Sequence, residues 1–191
     1  MKNPFACKLV IVLLTVAIVS HNVKAQTIPI ESKDNALVLQ VTPDKHLDMV
    51  YFGNKLSEKG EYNQVAKTYH LDKNTDEYNS AYITSGTRNL LEPALSVTHA
   101  DGNQSLDLQY ISHSVTKIND DVNLVSIRLK DSVYDFEVTL NYQTYFNEDV
   151  TEQWSVIKHH EKKDVVLNRY ASANLYLQAG SYWLRNYHGD W

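Results

Sequence analysis

Eight histidines, 23 acidic residues and scattered serines are what this 191-residue chain has for chemistry. A metal site needs ligands converging on one point. His159 and His160 are adjacent, so on a strand they point to opposite faces and cannot share a metal. His99 and His113 bracket a hairpin signal and could face each other, but no thiol joins them. Surface or half-buried sheet histidines are the expectation, with no metal and no cofactor. A hydrolytic triad needs a nucleophile on a strained turn. There is no Gly-x-Ser-x-Gly, and Ser85-Gly86-Thr87 is too slight a signal. Carboxylates in pairs can do acid/base work on a glycosidic bond, but Asp120-Asp121 falls in an expected turn and reads as solvated. Asp101-Gly102-Asn103 has the opening of a calcium loop without the spaced acids that should follow, and reads as a hairpin turn. Asn103-Gln104-Ser105 is a formal glycosylation sequon, meaningless in a bacterial protein. No self-contained catalytic constellation emerges.

The elements that carry these residues are short, alternating and punctuated by turns, the signature of an all-β sandwich. Ala36 to Val41 reads as the first strand. Pro43-Asp44-Lys45 turns the chain into His46 to Phe52. Gly53-Asn54 opens a polar segment reaching Ser80, with one weak helical stretch from Gln64 to His70. It is too long for an ordinary connection, so it is either a functional loop or a cover for one sheet edge. Strands resume at Ala94 to Thr98, and Asp101-Gly102 should turn them back into Leu106 to Ser112. The cleanest period-two run sets Tyr134, Phe136, Val138, Leu140 and Tyr142 on one face, with Asp135, Glu137, Thr139 and Asn141 on the other. Asn123 to Lys130 should pair with it. Glu152 to Lys158, Val165 to Ala173 and Tyr182 to Tyr187 complete the set, and no segment supports a helix beyond two turns. The thirteen tyrosines suit this class, since Tyr packs half-buried on sheets and keeps its hydroxyl wet.

Lys2 and Lys8 precede an apolar run from Leu9 to Val19, followed by Val23-Lys24-Ala25. The run is too short to span a bilayer, so residues 1–25 read as a secretory signal peptide, cleaved between Ala25 and Gln26. Cys7 precedes the apolar run, which excludes a lipoprotein cysteine, and it is the only cysteine. An exported domain without disulfides must rely on its core, which fits a periplasmic or extracellular bacterial protein. Removing the leader's three lysines leaves 15 basic against 23 acidic residues, a net charge of −8. That argues against nucleic acid or anionic membrane as a partner. About 165 residues remain, one domain on size grounds. The final run, Tyr187-His188-Gly189-Asp190-Trp191, reads as a strand leading elsewhere, so the chain is expected to be the front piece of a larger protein.

Three stretches then combine: Met49-Val50-Tyr51-Phe52-Gly53-Asn54-Lys55-Leu56; Glu92-Pro93-Ala94-Leu95 with Asp101-Gly102-Asn103 shortly after; and the terminal Tyr187-His188-Gly189-Asp190-Trp191. In this order and spacing they resemble the N-terminal domain of glycoside hydrolase family 36 α-galactosidases, across essentially all of residues 26–191. The resemblance implies a large β-supersandwich preceding a (β/α)8 barrel, with both catalytic carboxylates of a retaining mechanism on the barrel. It therefore implies no catalytic residue in this chain, which would be inactive alone. The implied partners are α-galactosides in the context of the full enzyme and the barrel itself, with room for a homo-oligomer. In many family members the loop before the Pro-Ala-Leu motif carries an acid that reaches toward a galactose site. Counting back from Pro93 places Asn89 at that position. Asn can still bond a sugar hydroxyl, but without the strength of a carboxylate; a loop Asn bonding its own backbone is the alternative. The rival for the whole chain is a stand-alone carbohydrate-binding or adhesive sandwich.

Overall fold

A computed structural model of the protein describes residues 26–65, 79–87 and 92–177, together with Ser181, Trp183, Arg185 and Gly189. Nine strands account for most of it: β1 (Gln26–Glu31), β2 (Asn35–Val41), β3 (Leu47–Asn54), β4 (Leu95–Thr98), β5 (Leu108–Lys117), β6 (Val122–Asp131), β7 (Phe136–Tyr145), β8 (Val150–His159) and β9 (Val166–Tyr170). They form three antiparallel sheets, β1-β2-β3, β4-β9 and β5-β6-β7-β8. The only described helix is a 3-10 turn at Lys59–Glu61 running into α1 (Tyr62–Val65). The fold is thus an all-β antiparallel sandwich.

One core joins all three sheets. Ile28, Ile30, Leu37, Leu39 and Met49 meet Leu95, Val97, Ile127, Phe136, Val138 and Leu140. Phe136 is 1% exposed, in the register that the alternation requires. Across the β6–β7 hairpin, Leu129 pairs with Val138 and Ile127 with Leu140, so buried residues face buried residues rung by rung.

Strand β2 breaks the alternation, since Ala36 to Leu39 are buried in succession. The cause is cover on both faces. Leu37 and Leu39 join the main core, while Ala36 and Val38 join a second cluster closed by Tyr62 of α1. The Tyr62 hydroxyl donates to Glu31 at 2.8 Å and accepts the Leu56 N–H at 3.2 Å. Burial, reinforced by the Glu31 carboxylate, pushes that phenol up to about 12.

Three expectations need revision. Strand β1 begins at Gln26, ahead of the first strand expected; Pro29 suits it because β1 is an edge strand. The Asp101-Gly102 turn does close, with Gly102 N–H donating to the His99 carbonyl and His99 N–H to that of Asn103. However, β4 pairs with β9, not with β5. The turn residues specify a reversal and nothing beyond it. After it the chain commits elsewhere: Leu106 N–H donates to the Ser85 carbonyl and Asp107 N–H to the Asp131 carboxylate. The third revision concerns the alternating run: Tyr134 sits in the β6–β7 turn rather than in the strand, and Asn141, expected on the wet face, is buried, its Oδ1 accepting the Ser126 hydroxyl. Of the long polar segment, α1 begins before the stretch expected, and its far end returns beside β3 through Met49 N–H to Asn79 and Ala81 N–H to Leu47. That end covers a sheet edge. Residues 66–78 lie outside the described residues, as does most of Tyr182 to Tyr187.

Candidate functional site

Asn89 lies outside the described residues, as does Ala25. The nearest described residues on either side of Asn89 are 83–87 and 92–95. Thr84 makes a parallel bridge with Leu95, and Ser85 N–H donates to the Leu95 carbonyl at 3.0 Å. Ala94 and Leu95 both donate to the Ile83 carbonyl, at 2.9 and 3.1 Å. Thr84 Oγ1 reaches the Leu106 carbonyl at 2.6 Å, and Thr87 Oγ1 turns back to the Thr84 carbonyl at 3.1 Å. Residues 83–87 and 92–95 thus make a two-legged stem bonded to the core strands. At the start of the second leg, Glu92 pairs with Arg169 of β9.

Gly86 shows why the stem needs its sequence. Its φ is +79°, and a Cβ added there would stand 2.4 Å from the Ser105 Cα. Any side chain meets both a disfavoured backbone conformation and main-chain atoms. Ser105 therefore acts as a stop against which the stem is folded.

Two histidines fasten the surroundings. His46 presents Nδ1 to Asp44 at 3.0 Å and Nε2 to Asp107 at 2.8 Å. Burial pushes the Asp44 carboxyl up, but the Thr42 hydroxyl and His46 outweigh it and hold it below the usual carboxylate range. Beside them is a cavity of about 20 Å³, lined by His46, Ser80, Thr84, Thr87 and Asp107 among others, with room for a single water. His99 is buried against Glu161 and the Ser105 carbonyl. It does not meet His113, which bonds the Tyr110 hydroxyl at 2.7 Å instead. His159 stacks toward Phe136. Among the described residues no group of three or more His, Cys, Asp or Glu side chains could hold a metal ion.

Several other carboxylates are engaged structurally. Asp120 pairs with Lys117 at 2.6 Å, and Asp121 accepts the Asn147 N–H at 2.7 Å. Asp101 accepts the Asn103 N–H and the Tyr134 hydroxyl, a turn rather than a calcium loop. Asp131 accepts the N–H groups of Asp107, Val133 and Tyr134, each at 2.7 Å. A shallow groove of about 310 Å³ crosses the outer face of the β5–β8 sheet between Ser112, Ser126, Arg128, Thr139 and Lys158. Its one carboxylate, Glu137, is tied to Arg128 at 3.0 Å. No residue signal beyond the resemblance pointed to the stem, because its bonds join backbone groups far apart in sequence.

The comparisons with known proteins fit this picture. The glycosyl hydrolase family 36 N-terminal domain model matches residues 45–191. No curated protein matches the chain. Among solved structures, the α-galactosidase of Lactobacillus brevis superposes with a TM-score of 0.66 at 18% identity, over 77% of this chain and 23% of that one. The Geobacillus stearothermophilus α-galactosidase AgaA, as a variant bound to 1-deoxygalactonojirimycin, gives 0.67 at 19% identity, over 77% and 24%. The galactosidase domain of the α-galactosidase–sucrose kinase AgaSK gives 0.66 at 19% identity, over 77% and 24%. The chain thus spans about a quarter of the length of these structures. With a sandwich fold shared by all three and a family match over most of its length, the chain belongs to the glycosyl hydrolase family 36 N-terminal domain family.

Proposed function

We propose that this chain serves as the non-catalytic N-terminal domain of a secreted, retaining α-galactosidase. In that role it supports a catalytic barrel, shapes the rim of the active site and takes part in oligomerisation. The observation that carries the reading is an uncovered apolar stretch. Val166, Leu167, Tyr170 and Leu175 are 46–57% exposed, beside a β4 whose Leu95 and Val97 are buried. A solitary sandwich has no use for such a surface, whereas a domain that receives further polypeptide does. The carbohydrate partner is supported by the relatives: AgaA variants have been solved in complex with raffinose and with stachyose. On the family resemblance, Asn89 bonds a sugar hydroxyl at that rim.

Kinetics test this. A retaining mechanism needs two carboxyl groups about 5–5.5 Å apart, so the purified chain should not hydrolyse an aryl α-galactoside. Joined to a family 36 barrel it should support turnover. In that context Asn89→Ala should weaken binding by about 0.5–1.5 kcal/mol, one neutral hydrogen bond, seen in KM rather than kcat. Turnover by the chain alone would overturn the non-catalytic role, and an unchanged KM would remove Asn89 from the rim.

A further inference from the structure

The turn after β4 is held by a buried ion pair that no catalytic or binding role uses. His99 and Glu161 have side chains only 0% and 7% exposed. His99 Nδ1 lies 2.8 Å from Glu161 Oε1, and Nε2 lies 3.0 Å from the Ser105 carbonyl oxygen. Two acceptors call for two protons, so this arrangement fits the imidazolium. Glu161 Oε2 accepts the Ala100 N–H at 3.1 Å, so both its oxygens are engaged. The His99 ring stacks on Tyr134 with centroids 3.6 Å apart and planes 6° apart, and it meets Phe136 edge-on at 5.8 Å. We infer that the His99–Glu161 pair is a pH-sensitive latch that fastens the β4–β5 turn to the β8–β9 connection.

The groups facing the pair come from every neighbouring element. Asp101, from the same turn, accepts the Tyr134 hydroxyl at 2.9 Å. Tyr134 comes from the β6–β7 turn. His159, at the end of β8, lies beyond Phe136 and acts on Glu161 through space. The acid limb is set by Glu161. Burial pushes its carboxyl up, but the bonds from His99 and the Ala100 N–H outweigh burial and hold it below its ordinary 4.5. A carboxylate lowered on folding contributes stability that is complete above its ordinary value and is lost as pH falls through the folded value. Protonation takes the charge from one partner and strands a buried imidazolium, which is costly. Opening the turn to water relieves that cost and leaves the sheets in place. Residues 99–105 lie outside the strands after β4, whereas β6 and β7 hold none of the pair, so the turn opens first. Ser105 is the stop behind Gly86, so the released turn also loosens the stem.

Hydrogen exchange on the full chain across the acid range tests the latch. The reporters are the Ala100 and Gly102 amides, which donate to Glu161 and to the His99 carbonyl. The references are the amides of Ile127 and Leu140. After correction for intrinsic rates, protection of the turn should fall at least tenfold as Glu161 titrates, with the references unchanged. Glu161→Gln should remove the pH step and leave the turn open throughout, while Asp101→Asn should keep the step. A step that survives Glu161→Gln, or turn and references losing protection together, would overturn the latch. Should Glu161→Gln not fold, the carboxyl carbon of Glu161 can be followed by NMR in the unaltered protein. Its titration midpoint must coincide with the opening of the turn, and a midpoint displaced from it would also sink the proposal.

Discussion

Strands β7 and β9 are both rich in apolar residues, yet they meet water on opposite terms. β7 buries Phe136, Val138, Leu140 and Tyr142 and shows Glu137 and Thr139 outward. β9 exposes all five of its residues, although its partner β4 packs Leu95 and Val97 completely. One strand follows the rule of a half-buried sheet, and the other has its hydrogen-bonding partner without its cover. The contrast separates the part of the molecule that holds itself together from the part we propose receives further polypeptide.

The largest effect should come from β7. Phe136→Ala opens a cavity in the shared core and should cost about 3–5 kcal/mol in denaturant melts, enough to unfold a marginal domain. The matching change on β9, Leu167→Ala, should stay within about 0.5 kcal/mol in the isolated chain. Equal costs at the two positions would break the comparison.

Gly86→Ala should come next, at about 1–3 kcal/mol, because a strained φ and the Ser105 backbone both oppose a Cβ. The loss should be local, with exchange rising at Leu106, whose N–H donates to Ser85. A global loss would mean that the Gly86 leg is as integral to the core as Ala94 and Leu95 of the other leg.

A smaller and pH-dependent effect should appear at Asp149, which ties the β7–β8 turn to the β1–β2 turn. Its carboxylate accepts the Ser32 hydroxyl at 2.5 Å, the Asp34 N–H at 2.9 Å and the Asn35 amide. The Ser32 bond, then that from Asp34, holds it below its ordinary 3.8. Its contribution is therefore complete above 3.8 and lost as pH falls through the folded value. Asp149→Asn should lower Tm at neutral pH, with the difference from the unaltered protein closing in acid. A difference that grows in acid would contradict the assignment.

The smallest effect belongs to Glu137→Ala, on the wet face of β7. Its ion pairs with Arg128 and Lys130 are surface pairs, so the change should stay within about 0.5 kcal/mol. If it cost more than Phe136→Ala, the strand register would be off by one.

Legibility in the sequence followed the distance between partners. The β6–β7–β8 meander could be read because its strands alternate and each pairs with the next in sequence. Strand β2 was visible as an apolar run, but its burial on both faces was not, since Tyr62 of α1 supplies the second cover. Strand β1 escapes the sequence because Pro29 interrupts a short run. The β4–β9 pairing was hidden behind a turn signal that names no partner. The stem at Thr84 and Leu95 is made largely of backbone bonds, which leave no mark in side-chain pattern. His99 and Glu161 stand 62 residues apart, and neither has a local motif that announces the other. Asn89 was placed by family likeness alone.

The β4–β9 ladder has a kinetic consequence. Leu95 pairs with Tyr170, so closing this ladder joins positions 75 residues apart, whereas the β6–β7 hairpin closes across a handful. By polymer scaling the longer loop costs about 2 kcal/mol more to close. The meander can therefore assemble as the chain emerges, while β4, whose Leu95 can already bond Ile83 and Ser85, waits for its β9 partner. The order of arrival makes β9 the slow step of folding, and the apolar strand held open meanwhile is where a misfolding encounter would begin.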